Sequence, residues 1–219
     1  MGLRFSQTEI VREIAALKQV GGTFIDGATA WTLDNLASQV ESVSNGCQRD
    51  LTLETLRTRV SEGEHEPGNR KGSHVTAEFT GVWQVTGRME NPGGRRGKRG
   101  RRLLGFSGLA SMKTEVFDDQ GTRLAMWRVE LGAHDSPGCY FHVQVLGDRR
   151  SPPFPKSLSV PRVPSMFVTP VAAIEFGLGE LFQDRWYRAT SALSGDAPWW
   201  RQTQSRRLFA FLDWQRASI

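Results

Sequence analysis

The sequence is poor in the residues that build metal centres and disulfide frameworks. It contains two Cys, Cys47 and Cys139, and four His among 219 residues. Neither Cys belongs to a C-x-x-C pair or stands beside a His at the spacing of metal ligands. We therefore expect structural thiols, no disulfide framework, no metal site and no cofactor.

Long apolar runs are also missing. No segment approaches the roughly 18 consecutive apolar residues that a membrane-spanning helix needs. The first residues, MGLRFSQTEIVREI, carry charges where a signal peptide would be apolar. We expect a cytoplasmic protein that does not contact a membrane. Hydrophobic residues make up 38% of the chain, which indicates a folded protein, and the length favours a single domain over residues 1–219.

The first 60 residues have the periodicity of helices. An amphipathic helix is predicted over 6–20, where Ser6 and Glu9 match the pattern of a capping box. A second helix is predicted over 32–44. The helical spacing of Leu53, Leu56 and Val60 also allows a short third helix.

The pattern changes to strict alternation at residue 74. Apolar residues alternate with polar ones, which predicts a half-buried strand with these residues facing the core: Val75, Ala77, Phe79, Trp83 and Val85. Extended character resumes after a basic segment and continues through residue 117. Two more strands are predicted over 122–131 and 139–147, so that residues 74–147 form an antiparallel meander.

The last third of the chain combines a proline-rich segment with helices. Six of the ten Pro fall between residues 152 and 170, which predicts an extended arm over 151–170. Thr169 and Pro170 have the pattern of a helix start, with the helix ending near Gln183. Residues 170–216 are therefore predicted to be helical. The last helix, from about Pro198, is expected to bury Trp200, Leu208, Phe211 and Leu212.

These elements define the expected fold class. We predict an α+β protein in which a curved antiparallel sheet of four or more strands packs against N-terminal and C-terminal helices.

One short segment carries the excess positive charge. The segment GGRRGKRGRR, residues 93–102, contains no acidic residue and has six cations: Arg95, Arg96, Lys98, Arg99, Arg101 and Arg102. Without these six, 22 of the 28 Lys and Arg residues remain against 23 Asp and Glu residues. Because closely spaced arginines suit the phosphates of a nucleic-acid backbone, the segment predicts contact with nucleic acid or another polyanion. The alternative is a solvated hairpin tip with no partner.

A second candidate site comes from the third and fourth strands of the meander. If Leu131 opposes Cys139, then Arg128 opposes His142 and Glu130 opposes Tyr140, with Gln144 on the same face. A His beside an Arg and a Glu could act as a general acid or base, or could bind an anionic ligand. The alternative is a polar, solvated sheet face, because the sequence supplies no obvious nucleophile.

Three functions therefore compete. The leading interpretation is a non-enzymatic nucleic-acid-binding or accessory subunit, for RNA or DNA, that holds phosphate through residues 93–102. The second is a small hydrolase or anionic-ligand-binding protein that uses the sheet face around His142, with Glu130 and Arg128 as the other catalytic candidates. The third is a component of a protein–protein assembly, with a protein partner.

Overall fold

A computed structural model describes residues 4–62, 74–90, 100–131, 141–146, 163–164, 169–191 and 197–217. Within them the chain forms strands and helices in the order β1 (Arg4–Ser6), α1 (Gln7–Gly21), α2 (Trp31–Glu41), β2 (Gln48–Arg57), β3 (Val75–Glu90), β4 (Arg101–Asp118), β5 (Arg123–Leu131), β6 (Phe141–Leu146), β7 (Val163–Pro164), α3 (Pro170–Thr190) and α4 (Ala197–Ala217).

The strands form one antiparallel sheet. Its order is β2-β3-β4-β5-β6-β7, and the short β1 pairs with β4 at residues 103–105. Strand β3 runs along one edge of β4 for nearly its whole length, while β5 and β1 share the other edge. The expected α+β architecture is confirmed: the sheet is open and curved, and N-terminal and C-terminal helices accompany it.

The buried face of the sheet follows the predicted alternation along β3. Val75, Ala77 and Phe79 are at most 2% exposed, and Trp83 is 4% exposed. These side chains belong to one apolar cluster that also contains the buried stripes of all four helices. Helix α3 lies very close to β3, because a Cβ atom added at Gly177 would stand 2.5 Å from the Phe79 ring. Burial of this face against helices therefore holds the sheet and helices together.

Two N-terminal predictions were wrong. The capping box does not form: Ser6 precedes α1 without a side-chain cap, and Glu9 instead pairs with arginines. The segment containing Leu53 and Leu56 is strand β2 rather than a third helix. A bulge between Leu53 and Leu56 inserts one extra residue into β2, so that Leu53 is opposite Gly81 and Leu56 is opposite Phe79. The two leucines are therefore three residues apart in sequence, which is also a spacing found in helices.

The C-terminal predictions were correct at the start and the end of the first helical segment and wrong in part for α4. The Thr169 hydroxyl accepts a hydrogen bond from the Ala172 amide at 3.2 Å, as expected of an N-cap. The helical segment that begins at Pro170 ends at Gln183, as predicted, because the backbone there leaves the helical region with φ of 35°, and a second helical segment of α3 runs on to Thr190. In α4, Trp200 and Phe211 are buried, but Leu212 is 45% exposed.

Only part of the proline-rich arm lies within the described residues. Val163–Pro164 forms β7, which pairs with β6 at the end of the strand order, a place where the missing N–H of proline is tolerated. In the described ranges, no helix is both long enough and apolar enough to cross a membrane.

Candidate functional site

The basic segment connects β3 to β4. Arg95, Arg96, Lys98 and Arg99 lie outside the described residues, whereas Arg101 and Arg102 begin β4. The two strands stay paired up to Glu90 and Arg101, so residues 91–100 leave and rejoin the sheet at neighbouring positions. Arg101 and Arg102, and the point at which the basic segment joins the sheet, therefore lie at one end of β3 and β4.

The base of this connection is attached to two helices. Arg101 Nη2 lies 2.8 Å from Glu9 Oε1 on α1, and Arg206 of α4 reaches the same carboxylate oxygen at 3.2 Å. Arg102 is exposed, and no ion pair is found for it within the described part of the chain. An open cleft of about 730 Å³ adjoins these arginines and is lined by Gln7, Thr8, Val11, Glu41, Gly100, Arg101 and Arg102.

Two further exposed arginines lie at the same end of the sheet. Arg88 on β3 is opposite Leu103, and Arg4 on β1 is opposite Gly105. Leu103 and Gly105 are two residues apart on β4, so Arg88 and Arg4 lie on the same side of the sheet, on either flank of β4. We call Arg4, Arg88 and the basic segment of residues 93–102 together the basic hairpin end.

Aromatic residues next to this surface serve the core. Phe106 is half-buried, and its ring meets that of Phe5 edge-on with centroids 5.6 Å apart. Trp83 is 4% exposed, as expected for a core residue. Of the described residues, Phe106 and Trp83 therefore contribute to the core rather than offering a free ring for base stacking.

The second candidate site has a different register from the predicted one. Arg128 is opposite Gln144 rather than His142, Glu130 is opposite His142, and Leu131 is opposite Phe141. Tyr140 lies outside the described residues. The offset is two residues, so Arg128, Glu130, His142 and Gln144 still share one face of the sheet.

On this face the charged side chains bind one another. Arg128 Nη1 donates to Glu130 Oε1 at 3.2 Å, and Ser111 Oγ donates to the same oxygen at 3.5 Å. Nearby, burial alone would raise the pKa of Glu115, but hydrogen bonds from Lys113 and Arg123 hold that pKa below its usual value. Among the side chains that the structure describes on this face, neighbouring charges therefore neutralise one another in ion pairs.

A third site was missed by sequence reasoning. A cleft of about 450 Å³ lies between α3 and α4 and is lined by Thr169, Ala172, Glu175, Phe176, Gly179, Glu180, Trp186, Gln204, Ser205, Arg207 and Leu208. Phe176 also contacts the Trp127 ring of β5, with centroids 6.2 Å apart, so the sheet supports one wall. A volume of this size is typical of small-molecule sites.

A buried ion pair adjoins this cleft. Arg207 of α4 is 8% exposed and donates through Nη1 to Oε2 of Glu13 on α1, which is fully buried. Among the described residues, Glu13 Oε1 and Arg207 Nη2 of this pair find no hydrogen-bond partner, and neither does Nε2 of Gln204, which lines the same cleft. Each polar group buried without a partner lowers the free energy of unfolding by about 1 to 3 kcal/mol.

Two carboxyl groups here have raised pKa values. Burial raises the pKa of Glu13 from 4.5 to about 7, and the opposing attraction of Arg207 is the weaker effect. Burial also raises the pKa of Glu175 to about 7, helped by the negative charge of Glu13 and opposed by Arg201. Carboxyl groups that titrate near neutral pH occur more often in functional sites than elsewhere.

A weak sequence signal marked this third site. Glu13 interrupts the apolar stripe of Ile10, Ile14 and Leu17, and Glu175 lies beside Ile174 in the stripe of α3. Arg207 likewise occupies a position between the buried residues Thr203 and Phe211. A charged residue at a core position of a helix is the signal that could have been found.

No metal site among the described residues and no similarity to a known protein points to a further function. The described ranges contain no group of three or more His, Cys, Asp and Glu residues that could hold a metal ion. Comparison of the chain with protein-family models, with curated proteins and with solved structures finds no match.

Proposed function

We propose that this protein is a non-enzymatic subunit that binds the phosphate backbone of RNA or DNA through its basic hairpin end. The observation that carries the proposal is the pairing of Glu90 with Arg101. Because of that pairing, the basic segment leaves and rejoins the sheet at the end where Arg4 and Arg88 lie.

Charge distribution supports this function over general solubility. The chain outside residues 93–102 is close to neutral, so the positive potential is concentrated where these cations lie. Glu9 neutralises part of the charge of Arg101, while Arg102, Arg88 and Arg4 are exposed. A local excess of this kind attracts phosphates and releases their counterions on binding.

The proposed binding does not depend on base sequence. Phosphate contacts position a protein without reading bases, and the neighbouring rings of Phe5 and Phe106 are engaged with each other. We therefore expect similar affinity for unrelated duplexes of equal length. A cytoplasmic location, also proposed, is compatible with the exposed free thiol of Cys47, which persists more readily in a reducing compartment.

A pair of variants with equal charge change tests the proposal. Arg101→Gln/Arg102→Gln removes two cations from the basic hairpin end, and the control Lys18→Gln/Arg188→Gln removes two exposed cations from helices α1 and α3. Fluorescence anisotropy with a labelled duplex measures affinity near 150 mM salt. We expect the first variant to bind roughly fivefold more weakly for each phosphate that its side chains no longer engage.

The control distinguishes binding at a local site from binding that depends only on the net charge of the protein. It is expected to bind within about twofold of the wild type. Equal reductions of affinity in both variants would show that only overall charge matters, and would contradict a site at the basic hairpin end.

A further inference from the structure

The cleft between α3 and α4 has a chemical character that the proposed function does not use. Its lining is largely apolar, with Phe176, Trp186 and Leu208 among the residues, and the polar side chains include Arg207 and Gln204. Arg207 Nη2 and Gln204 Nε2 are buried donors without a partner in the described part of the chain. The residues that line the cleft therefore combine an apolar surface with two buried side-chain N–H donors that find no partner in the described part of the chain.

We propose that this cleft binds an apolar molecule that ends in a carboxylate, with the carboxylate oxygens accepting hydrogen bonds from Arg207 and Gln204. Two donors match the two oxygens of one carboxylate. Phe176, Trp186 and Leu208 then cover the apolar part of the ligand.

The charges around the cleft favour a monoanion over a phosphate. Above pH 7, where Glu13 is ionised, its carboxylate neutralises one side of the Arg207 guanidinium, so the Nη2 side then provides limited positive charge. Glu175 and Glu180 also line the cleft and would repel a dianion, while Arg201 lies close enough to lower the pKa of Glu175. A group with one negative charge suits this balance.

Protonation of Glu175 is expected to control binding. Burial and the charge of Glu13 raise the pKa of Glu175 to about 7, so near pH 6 this side chain is a neutral hydrogen-bond donor. Above pH 7 it is an anion beside the incoming carboxylate. Binding should therefore take up a proton, and affinity should fall by about tenfold between pH 6 and pH 8.

Calorimetric titration with octanoate tests the proposal on the full chain. Octanoate is ionised throughout this pH range, so a change in affinity reports on the protein. We expect binding at pH 6 that is about tenfold weaker at pH 8, and much weaker binding of octanol, which lacks the carboxylate. Failure to bind octanoate at about 1 mM, or equal binding of octanol, would overturn the proposal.

Two matched variants on α3 test whether the proton taken up on binding belongs to Glu175. Glu175→Gln keeps a neutral donor at every pH, so the decrease in octanoate affinity between pH 6 and pH 8 should become much smaller, and the remainder should come from the ionisation of Glu13 beside Arg207. Glu180→Gln makes the same replacement at an exposed position of the cleft and should retain the tenfold change. If Glu175→Gln keeps the pH dependence, the proposal is wrong.

A variant on α4 tests the hydrogen-bond donor. Gln204→Met removes the amide while keeping a side chain of similar length, and should weaken octanoate binding by roughly tenfold at pH 6. Circular dichroism spectra confirm that each variant is folded. Unchanged affinity in folded Gln204→Met would remove Gln204 from the site and contradict the proposed contact. The outcome is independent of nucleic-acid binding at the basic hairpin end.

Discussion

The buried pair of Glu13 and Arg207 provides the most quantitative prediction. It joins α1 to α4 across 194 residues of sequence, and the two side chains are 0% and 8% exposed. Arg207→Met leaves the Glu13 carboxyl buried without its partner. Breaking a buried pair in this way costs about 3 to 5 kcal/mol, so we expect a decrease of that size in the free energy of unfolding at pH 8.

The decrease should depend on pH in a defined direction. The pKa of Glu13 is raised by burial to about 7, so the carboxyl is ionised at pH 8 and mostly protonated at pH 5.5. A protonated Glu13 depends less on the charge of Arg207. We therefore expect the destabilisation to be smaller at pH 5.5 by about 1 to 2 kcal/mol.

The double variant Glu13→Leu/Arg207→Met completes the thermodynamic cycle. Replacing both members of a buried pair with apolar residues is often neutral or stabilising, so the double variant should recover most of the stability that Arg207→Met removes. Urea unfolding followed by circular dichroism gives each free energy of unfolding. A cost below about 1 kcal/mol for Arg207→Met, or a double variant as unstable as the sum of its parts, would refute this reasoning.

Three further predictions test the core, the cleft and the sheet face. Trp83→Ala should cost about 3 to 5 kcal/mol in urea melts, whereas Thr80→Ala, on the opposite face, should cost below about 1 kcal/mol. Glu175→Gln should stabilise by about 2 kcal/mol at pH 8 and little at pH 4.5, because stability from a carboxyl with raised pKa disappears as pH rises through 7. His142→Ala should leave duplex affinity within about twofold in anisotropy titrations, because His142 lies on β6, two strands from β4; a larger reduction would favour the sheet face.

Local patterns predicted the elements whose burial is regular. The alternation from Val75 to Val85 identified β3 and its buried face, and Thr169-Pro170 identified the start of α3. Strand β2 was misassigned because its bulge sets Leu53 and Leu56 at helical spacing, and only pairing with β3 reveals the extra residue. The capping box at Ser6 and Glu9 failed because Arg101 and Arg206, distant in sequence, bind the Glu9 carboxylate instead.

The candidate sites differ in how much of each could be predicted from the sequence. The basic segment is contiguous, so composition alone identified it and the hairpin position followed from the flanking strands. The cleft and the ion pair beside it combine Glu175 of α3 and Arg207 of α4 with Glu13 of α1, which precedes both by more than half the chain. The register at His142 was wrong by two residues because the connection between β5 and β6 does not determine the pairing.

Salt dependence of nucleic-acid affinity tests the central claim most directly. If about four of the six cations in residues 93–102 each engage a phosphate of duplex DNA, log K against log salt concentration should have a slope near −3 to −4. Replacing all six with Gln should bring that slope close to zero while the cooperative unfolding transition is retained. A folded six-residue variant with the same slope as the wild type would contradict phosphate binding by the basic hairpin end.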